Sequence, residues 1–237
     1  MTQTSDMFGA LLRERQSCRA FLSDPVPRDL IDAALGDAQH VASWCNSQPW
    51  HVTALSQAAT LETAHALCAH IESAPPASDI PFPERYEGIY KSRRSICGWQ
   101  LYDAVGVEKG DRTGSARQMR ENFHFFGAPN LLLVTTPKAL GSYGVLDCGA
   151  FVTATLLALT ARGLGSIAMA SVAGYAPFFR DRLGLAEDRD LVCGIAVGYA
   201  DGDHPANAFR TARAKLDETR LWVDCDRSGD IRRNDEA

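Results

Sequence analysis

DCGAFVTATLLALTARGLGSIAMAS, residues 147–171, is apolar almost all round as far as Ala161 and then meets Arg162-Gly163. A helix without a polar face is expected to be buried on every side, and a glycine just past its last turn supplies the left-handed residue that stops it. The short apolar run that follows, 166–171, reads as a strand. Outward from this pair the same grammar continues. Upstream, NLLLVTT (130–136) is a buried strand; downstream, a helix over 176–183 stops at Gly184, and LVCGIAVGYA (191–200) is a further strand. Strands alternating with helices predict a layered α/β or α+β fold and leave sheet order and direction open.

The first half is less regular. After Asp24-Pro25-Val26-Pro27, apolar residues at Ile31, Ala34, Leu35, Ala38 and Val41 repeat with helical spacing behind a proline entry. PWHVTALS (49–56) reads as a strand, and Leu61, Ala64, Cys68 and Ile71 mark another helix. Residues 73–83 are rich in Pro, Ser and Ala and read as a loop. One or two short helices are expected in the charged, aromatic stretch that follows. There are no repeats and no linker, so a single domain over 1–237 is expected.

The 237 residues carry a formal charge of -5, a pI near 5.7 and 46% hydrophobic side chains. That composition builds a large core and argues against nucleic acid as a partner. The opening MTQTSDMFGA lacks the features of a signal peptide, and the longest mainly apolar run, 150–161, is too short to span a bilayer. A soluble cytoplasmic protein is expected. Seven cysteines, none in a CxxC pair, suit reduced thiols used as small hydrophobes.

Common catalytic motifs are missing: no phosphate-binding P-loop, no dinucleotide GxGxxG between strand and helix, no GxSxG. His65 and Cys68 share a helical face, but His70 lies off it, so no metal site is expected. Cys18, flanked by arginines, is either an activated thiolate or a small inward residue, and nothing in the sequence supplies it with a catalytic partner. In an extended or first-turn conformation RQSCR places Arg15, Ser17 and Arg19 on one side. This is either a solvated basic face or an anion clamp, and FRTAR (209–213) is a second basic cluster near the C-terminus. SWCNSQPW (43–50) is a plain turn or a loop whose amides meet a ligand.

Taken together, Arg15-x-Ser17-x-Arg19-Ala20-Phe21, Asp24-Pro25-Val26-Pro27, Asn46-Ser47-Gln48-Pro49-Trp50, ARGLGS, Leu183-Gly184-Leu185, VGYADGDHPAN and RTARAKLDE resemble the FMN-dependent nitroreductase family, in order along nearly the whole chain. The middle, YKSRRSICGWQLYDAVGVEKGDR followed by RENFHFFGAPN, resembles the subgroup that reduces nitrobenzoates.

The resemblance implies an α+β fold, a mostly antiparallel central sheet flanked by helices, and an intertwined homodimer with FMN at the interface. It implies that Arg15, Gln16, Ser17 and Arg19 hold the phosphate, ribityl chain and pyrimidine edge, with Arg210 and Arg213 completing the phosphate site. Asn122 is placed near the pyrimidine. Ala42, Ser43, Trp44 and Asn46 approach the flavin ring from the other subunit, and Ala168, Met169, Ala170 and Ser171 lie along its opposite face. The flavin N5 does the chemistry, with no catalytic side chain: NAD(P)H reduces FMN, and a nitro compound then takes the electrons in ping-pong fashion, to nitroso and hydroxylamine. A substrate-covering insertion around 74–122 offers Tyr86, Tyr90, Trp99, Tyr102 and Phe123, with Trp44, as substrate contacts or as packing. Arg93 and Arg94 are candidates for a substrate carboxylate or the NADPH 2′-phosphate. The chain departs from the usual pattern at Trp44, where a small residue is commoner, and at IAMAS, where proline or glutamate often stands. Reductive dehalogenation, flavin fragmentation, enone reduction or plain flavin binding on the same fold are the alternatives.

Overall fold

The computed structural model describes residues 2–225 and 231–234. In chain order these form α1 (Gln3–Glu14), α2 (Arg28–Ala38), β1 (His51–Leu55), α3 (Gln57–His70), α4 (Gly88–Ala104), α5 (Arg112–Arg120) and β2 (Asn130–Pro137). Then follow α6 (Gly141–Thr160), β3 (Gly165–Met169), α7 (Ala170–Ala173), α8 (Ala176–Leu183), β4 (Arg189–Gly198), β5 (Trp222–Cys225) and β6 (Ile231–Asn234). The main sheet runs β1-β2-β4-β3 with every neighbour antiparallel, and β5 pairs with β6 in a separate hairpin.

β2 is buried along nearly its whole length because both sheet faces are covered. Leu131 and Leu133 point into a cluster with Leu67, Phe125, Val172 and Phe179, while Leu132 and Val134 point into one with Ile31, Phe151 and Leu159. The two-residue period of the strand therefore feeds two cores from one apolar run.

The decisive helix departs from the sequence reading. α6 begins at Gly141, ahead of Asp147, and is not buried all round. Asp147, Cys148, Phe151, Thr155, Ala158 and Leu159 face inward, whereas Tyr143, Leu146 and Ala150 are exposed. Beyond the Trp44 ring on Tyr143, the described residues leave this outer face exposed. Lys138–Thr160, 23 residues, is long and apolar enough by length and composition to cross a membrane; it lies instead against β2 and β3 with α2 alongside. The glycine stop is as expected. Gly163 sits at φ 73°, and its N–H bonds the Thr160 carbonyl while that of Leu164 bonds Leu159, a Schellman closure.

Two further expectations change. The strand expected over 166–171 ends at Met169, after which one turn of helix begins. The charged middle holds a helix of 17 residues, α4, as well as the shorter α5. The loop leading to them is pinned at its root. Asp79 Oδ2 accepts from Arg180 at 2.6 Å and from the Leu191 N–H at 2.8 Å, with both partners of the ion pair largely buried.

Removing one partner of a buried pair strands the other charge, so Asp79→Ala should cost about 3–5 kcal/mol in urea unfolding. Burial, and secondarily Cys148, pushes the Cys193 thiol from 9.0 up to about 12. The unfolded thiol ionises first as pH rises, so the unfolded state holds fewer protons and stability falls between about pH 9 and 12. Cys193→Val should lose part of that alkaline decline when melting is followed against pH.

Candidate active site

The chain leaves α1 at Arg15, whose φ of -55° and ψ of 121° open the helix into an extended segment. Ser17 bridges Ser166 on the free edge of β3, and Phe21 bridges Ala200 beyond the end of β4. The Cys18 N–H donates to the Ser166 carbonyl at 3.0 Å and that of Leu22 to Tyr199 at 2.9 Å. This crossing needs bare backbone beneath it. A Cβ at Gly198 would stand 2.6 Å from Pro129 Cδ and 2.9 Å from Phe21 Cδ1.

Extended geometry separates the side chains as the sequence suggested. Cys18 turns inward, 1% exposed, with its sulfur 3.1 Å from the Ala20 carbonyl, and burial pushes its thiol up. A buried, protonated thiol is not a nucleophile. Arg15, Ser17 and Arg19 face a cavity of about 380 Å³, joined by Gln16, Cys97, Phe209, Arg210 and Arg213. Arg13, in the last turn of α1, also reaches this wall.

Five guanidiniums thus share one cavity, and among the described residues no carboxylate lines it. Burial, then Arg213, lowers Arg15 from its ordinary value, and burial lowers Arg19. Both shifts express charge held away from water, beside like charge in the case of Arg15, and an entering anion would relieve both. The groups are held in place. Arg19 lies 5.6 Å from the Phe209 ring centre and donates to the Ser17 carbonyl at 3.2 Å. Arg210 bonds the Asn207 carbonyl, and Arg213 bonds Thr211 Oγ1 at 2.7 Å.

Sequence reasoning missed Asn207. Its buried amide accepts from the Arg19 N–H at 2.7 Å and donates to the carbonyls of Ala20 and Asp201, stapling the two arginine segments together. A polar residue between Ala206 and Ala208 gave no spacing signal. Cys97 was missed as well, because its place depends on which side of α4 faces the body.

Other expected residues fall into three groups. Asn122 and Ser171 are brought together, with Ser171 Oγ donating to Asn122 Oδ1 at 3.3 Å. Ala168 and Ala170 are exposed at the end of β3, and Met169 between them is buried. Ala42, Ser43, Trp44 and Asn46, by contrast, are absent from the lining of the arginine cavity. Their loop is fastened to α6, where the Trp44 N–H meets both oxygens of Asp147 at 3.1 Å.

In the insertion, Arg94 lies 5.3 Å from the Tyr86 ring centre and Arg93 pairs with Glu218. Tyr90 is exposed, Trp99 meets Tyr102 edge to face at 5.6 Å, and Phe123 packs on Tyr175. Trp99 lines a separate open cavity of about 600 Å³ with Ile96 and Val107, so α4 divides this space from the arginine cavity behind Cys97. Cys68 contacts His124, and His70 packs on Phe178. Among the described residues no group of three or more potential metal ligands converges.

Residues 12–199 match the model of the nitroreductase family. The chain is 35% identical to nitroreductase NfnB of Mycolicibacterium smegmatis over 88% of this chain and 89% of that one. It is 32% identical to the 4-nitrobenzoate reductase of Pseudomonas putida over 90% and 94% of the two chains. The crystal structure of the FMN-dependent nitroreductase NfnB from Mycobacterium smegmatis in complex with NADPH superposes with a TM-score of 0.89 at 32% identity, covering 93% of this chain and 99% of that one.

The cavity should bind phosphate alone. Inorganic phosphate is expected to raise the melting temperature of the cofactor-free protein by mass action, and Arg15→Ala and Asn207→Ala should each remove most of the shift in a calorimetric titration.

Proposed function

The chain belongs to the nitroreductase family, and we infer from its arginine cavity that it is an FMN-dependent NAD(P)H oxidoreductase reducing nitroaromatic compounds. The carrying observation is five guanidiniums around about 380 Å³ with no carboxylate among them. A phosphate monoester is the anion such a cavity fits, since planar donors converge on it and relieve their mutual repulsion. FMN supplies hydride transfer when bound, and the protein supplies placement and electrostatics.

In this reading Arg15, Arg210 and Arg213 hold the phosphate, while Gln16 and Ser17 take the ribityl chain. Arg19, the more buried of the cations on the extended segment, stabilises negative charge at the pyrimidine edge, where Asn122 adds an amide. Ala168, Met169, Ala170 and Ser171 lie along one face of the ring. The small exposed side chains of Ala168 and Ala170 leave their backbone N–H groups approachable.

The opposite approach belongs to a second copy. Loop 42–46 does not line its own protomer's cavity, and Tyr143 and Leu146 on α6, with Met7, Phe8 and Leu12 on α1, leave an apolar surface exposed. A homodimer buries that surface and brings Ala42, Ser43, Trp44 and Asn46 to the partner's cofactor. The insertion, with Tyr86, Tyr90, Trp99 and Tyr102, covers the ring and selects the substrate. The setting is cytoplasmic.

The purified protein should be yellow, NADPH should bleach it under anaerobic conditions, and 4-nitrobenzoate should restore the oxidised spectrum. Arg15→Ala and Arg213→Ala should lose FMN by at least tenfold in affinity, the scale of one charge-assisted bond. Bound FMN that neither nicotinamide nucleotide bleaches would overturn the reading. Faster turnover of an enone or a halotyrosine than of any nitroarene would move the activity elsewhere on the same fold.

A further inference from the structure

α6 carries Tyr143 and Asp147 one turn apart, neighbours along the helix at the boundary between its buried and exposed sides. Both meet one residue of loop 42–48. The Trp44 N–H is shared between Asp147 Oδ1 and Oδ2 at 3.1 Å, and the Trp44 ring lies 5.1 Å from the Tyr143 ring at 41°. Ser47 Oγ adds a bond to the same carboxylate at 3.3 Å.

The backbone between is strained. Cys45, Asn46 and Gln48 take φ values of 50°, 56° and 47°, the left-handed region that side chains disfavour. Such a loop persists only where its surroundings over-determine it. Asp147 does so from the inner face of α6, only 7% exposed, and no cation pairs with it among the described residues. Its carboxylate is committed to loop donors. Trp44 nevertheless remains 63% exposed. One side of the indole is held by the protomer and the other is offered outward.

We propose that Asp147 and Tyr143 are positioning residues that fix Trp44 as a planar wall of the partner subunit's site, where it selects flat, electron-poor aromatic substrates. The proposal rests on the nitroreductase reading. An electron-rich indole face stacks favourably on a ring that a nitro group has depleted of electron density. Asp147 sets the height of the ring through the backbone N–H, and Tyr143 sets its tilt. Neither touches substrate.

The test is a double-mutant cycle on the FMN-loaded enzyme, with amide hydrogen exchange as a second readout. Trp44→Ala should raise KM for 4-nitrobenzoate about five- to tenfold with little change in kcat, the scale of one aromatic contact. Asp147→Asn should raise KM similarly and speed exchange of the Trp44 amide by about tenfold, as loss of a bond to a charged group predicts. The Asp147→Asn/Trp44→Ala double variant should be no worse than Trp44→Ala. Additive losses in KM, or unchanged exchange at Trp44, would overturn the proposal. Tyr143→Ala, at an exposed position, gives the same cycle should Asp147→Asn fail to fold. A wild-type enzyme that transfers nothing from NADPH to any nitroarene removes the reading itself, whereas an active wild type with additive variants removes only this inference.

Discussion

Residues 17–22 lie across the edge of the sheet on three backbone hydrogen bonds, from Cys18 to Ser166, from Leu22 to Tyr199 and from Asp201 to Ala20. They can lie that close because positions 165 and 198 carry no side chain. A Cβ at 165 would meet Cys18 Sγ at 3.1 Å, and one at 198 would fall inside contact distance of Phe21. This crossing converts an end of helix into a rigid extended segment, and rigidity gives the arginines their aim. Asn207 then ties the C-terminal arginine segment to the same stretch. A loop in solution bearing the same residues would spend its binding energy on ordering them.

Electrostatically the site opposes the rest of the molecule. A chain of net charge -5 gathers five arginines around one small space, with no carboxylate among the described lining residues. Burial, and for Arg15 the neighbouring Arg213 as well, lowers Arg15 and Arg19 from their ordinary values. A phosphate group would bring charge and several acceptors together in such a space.

α6 serves two environments with one sequence. Its inner face is core, supplying Cys148, Phe151 and Leu159 to one of the two clusters beside the sheet. Its outer face leaves Tyr143 and Leu146 uncovered, and at the boundary Asp147 turns a buried charge into a fastener for loop 42–48. The described residues of the chain cover this apolar helix on one side only.

Much of this was legible from residue order. Strands with period-two or continuous apolar runs, helices stopped at Gly163 and Gly184, and the one-sided display of Arg15, Ser17 and Arg19 follow from local geometry, which sequence encodes directly. Cys18 turning inward follows from the same alternation. The remainder depended on what packs against what. No periodicity could say that α6 keeps a bare face, that the strand after it stops at Met169, that Arg13 joins the cavity, or that Arg93 and Arg94 are already engaged by Glu218 and Tyr86. Asn207 and Asp147 were silent for the same reason, since each acts on backbone groups far away in sequence. Sequence alone determined which residues are charged, small or apolar and how each local stretch curls. Tertiary structure decided which of them meet, because burial and hydrogen bonding between distant segments are set by the closed packing of the whole chain.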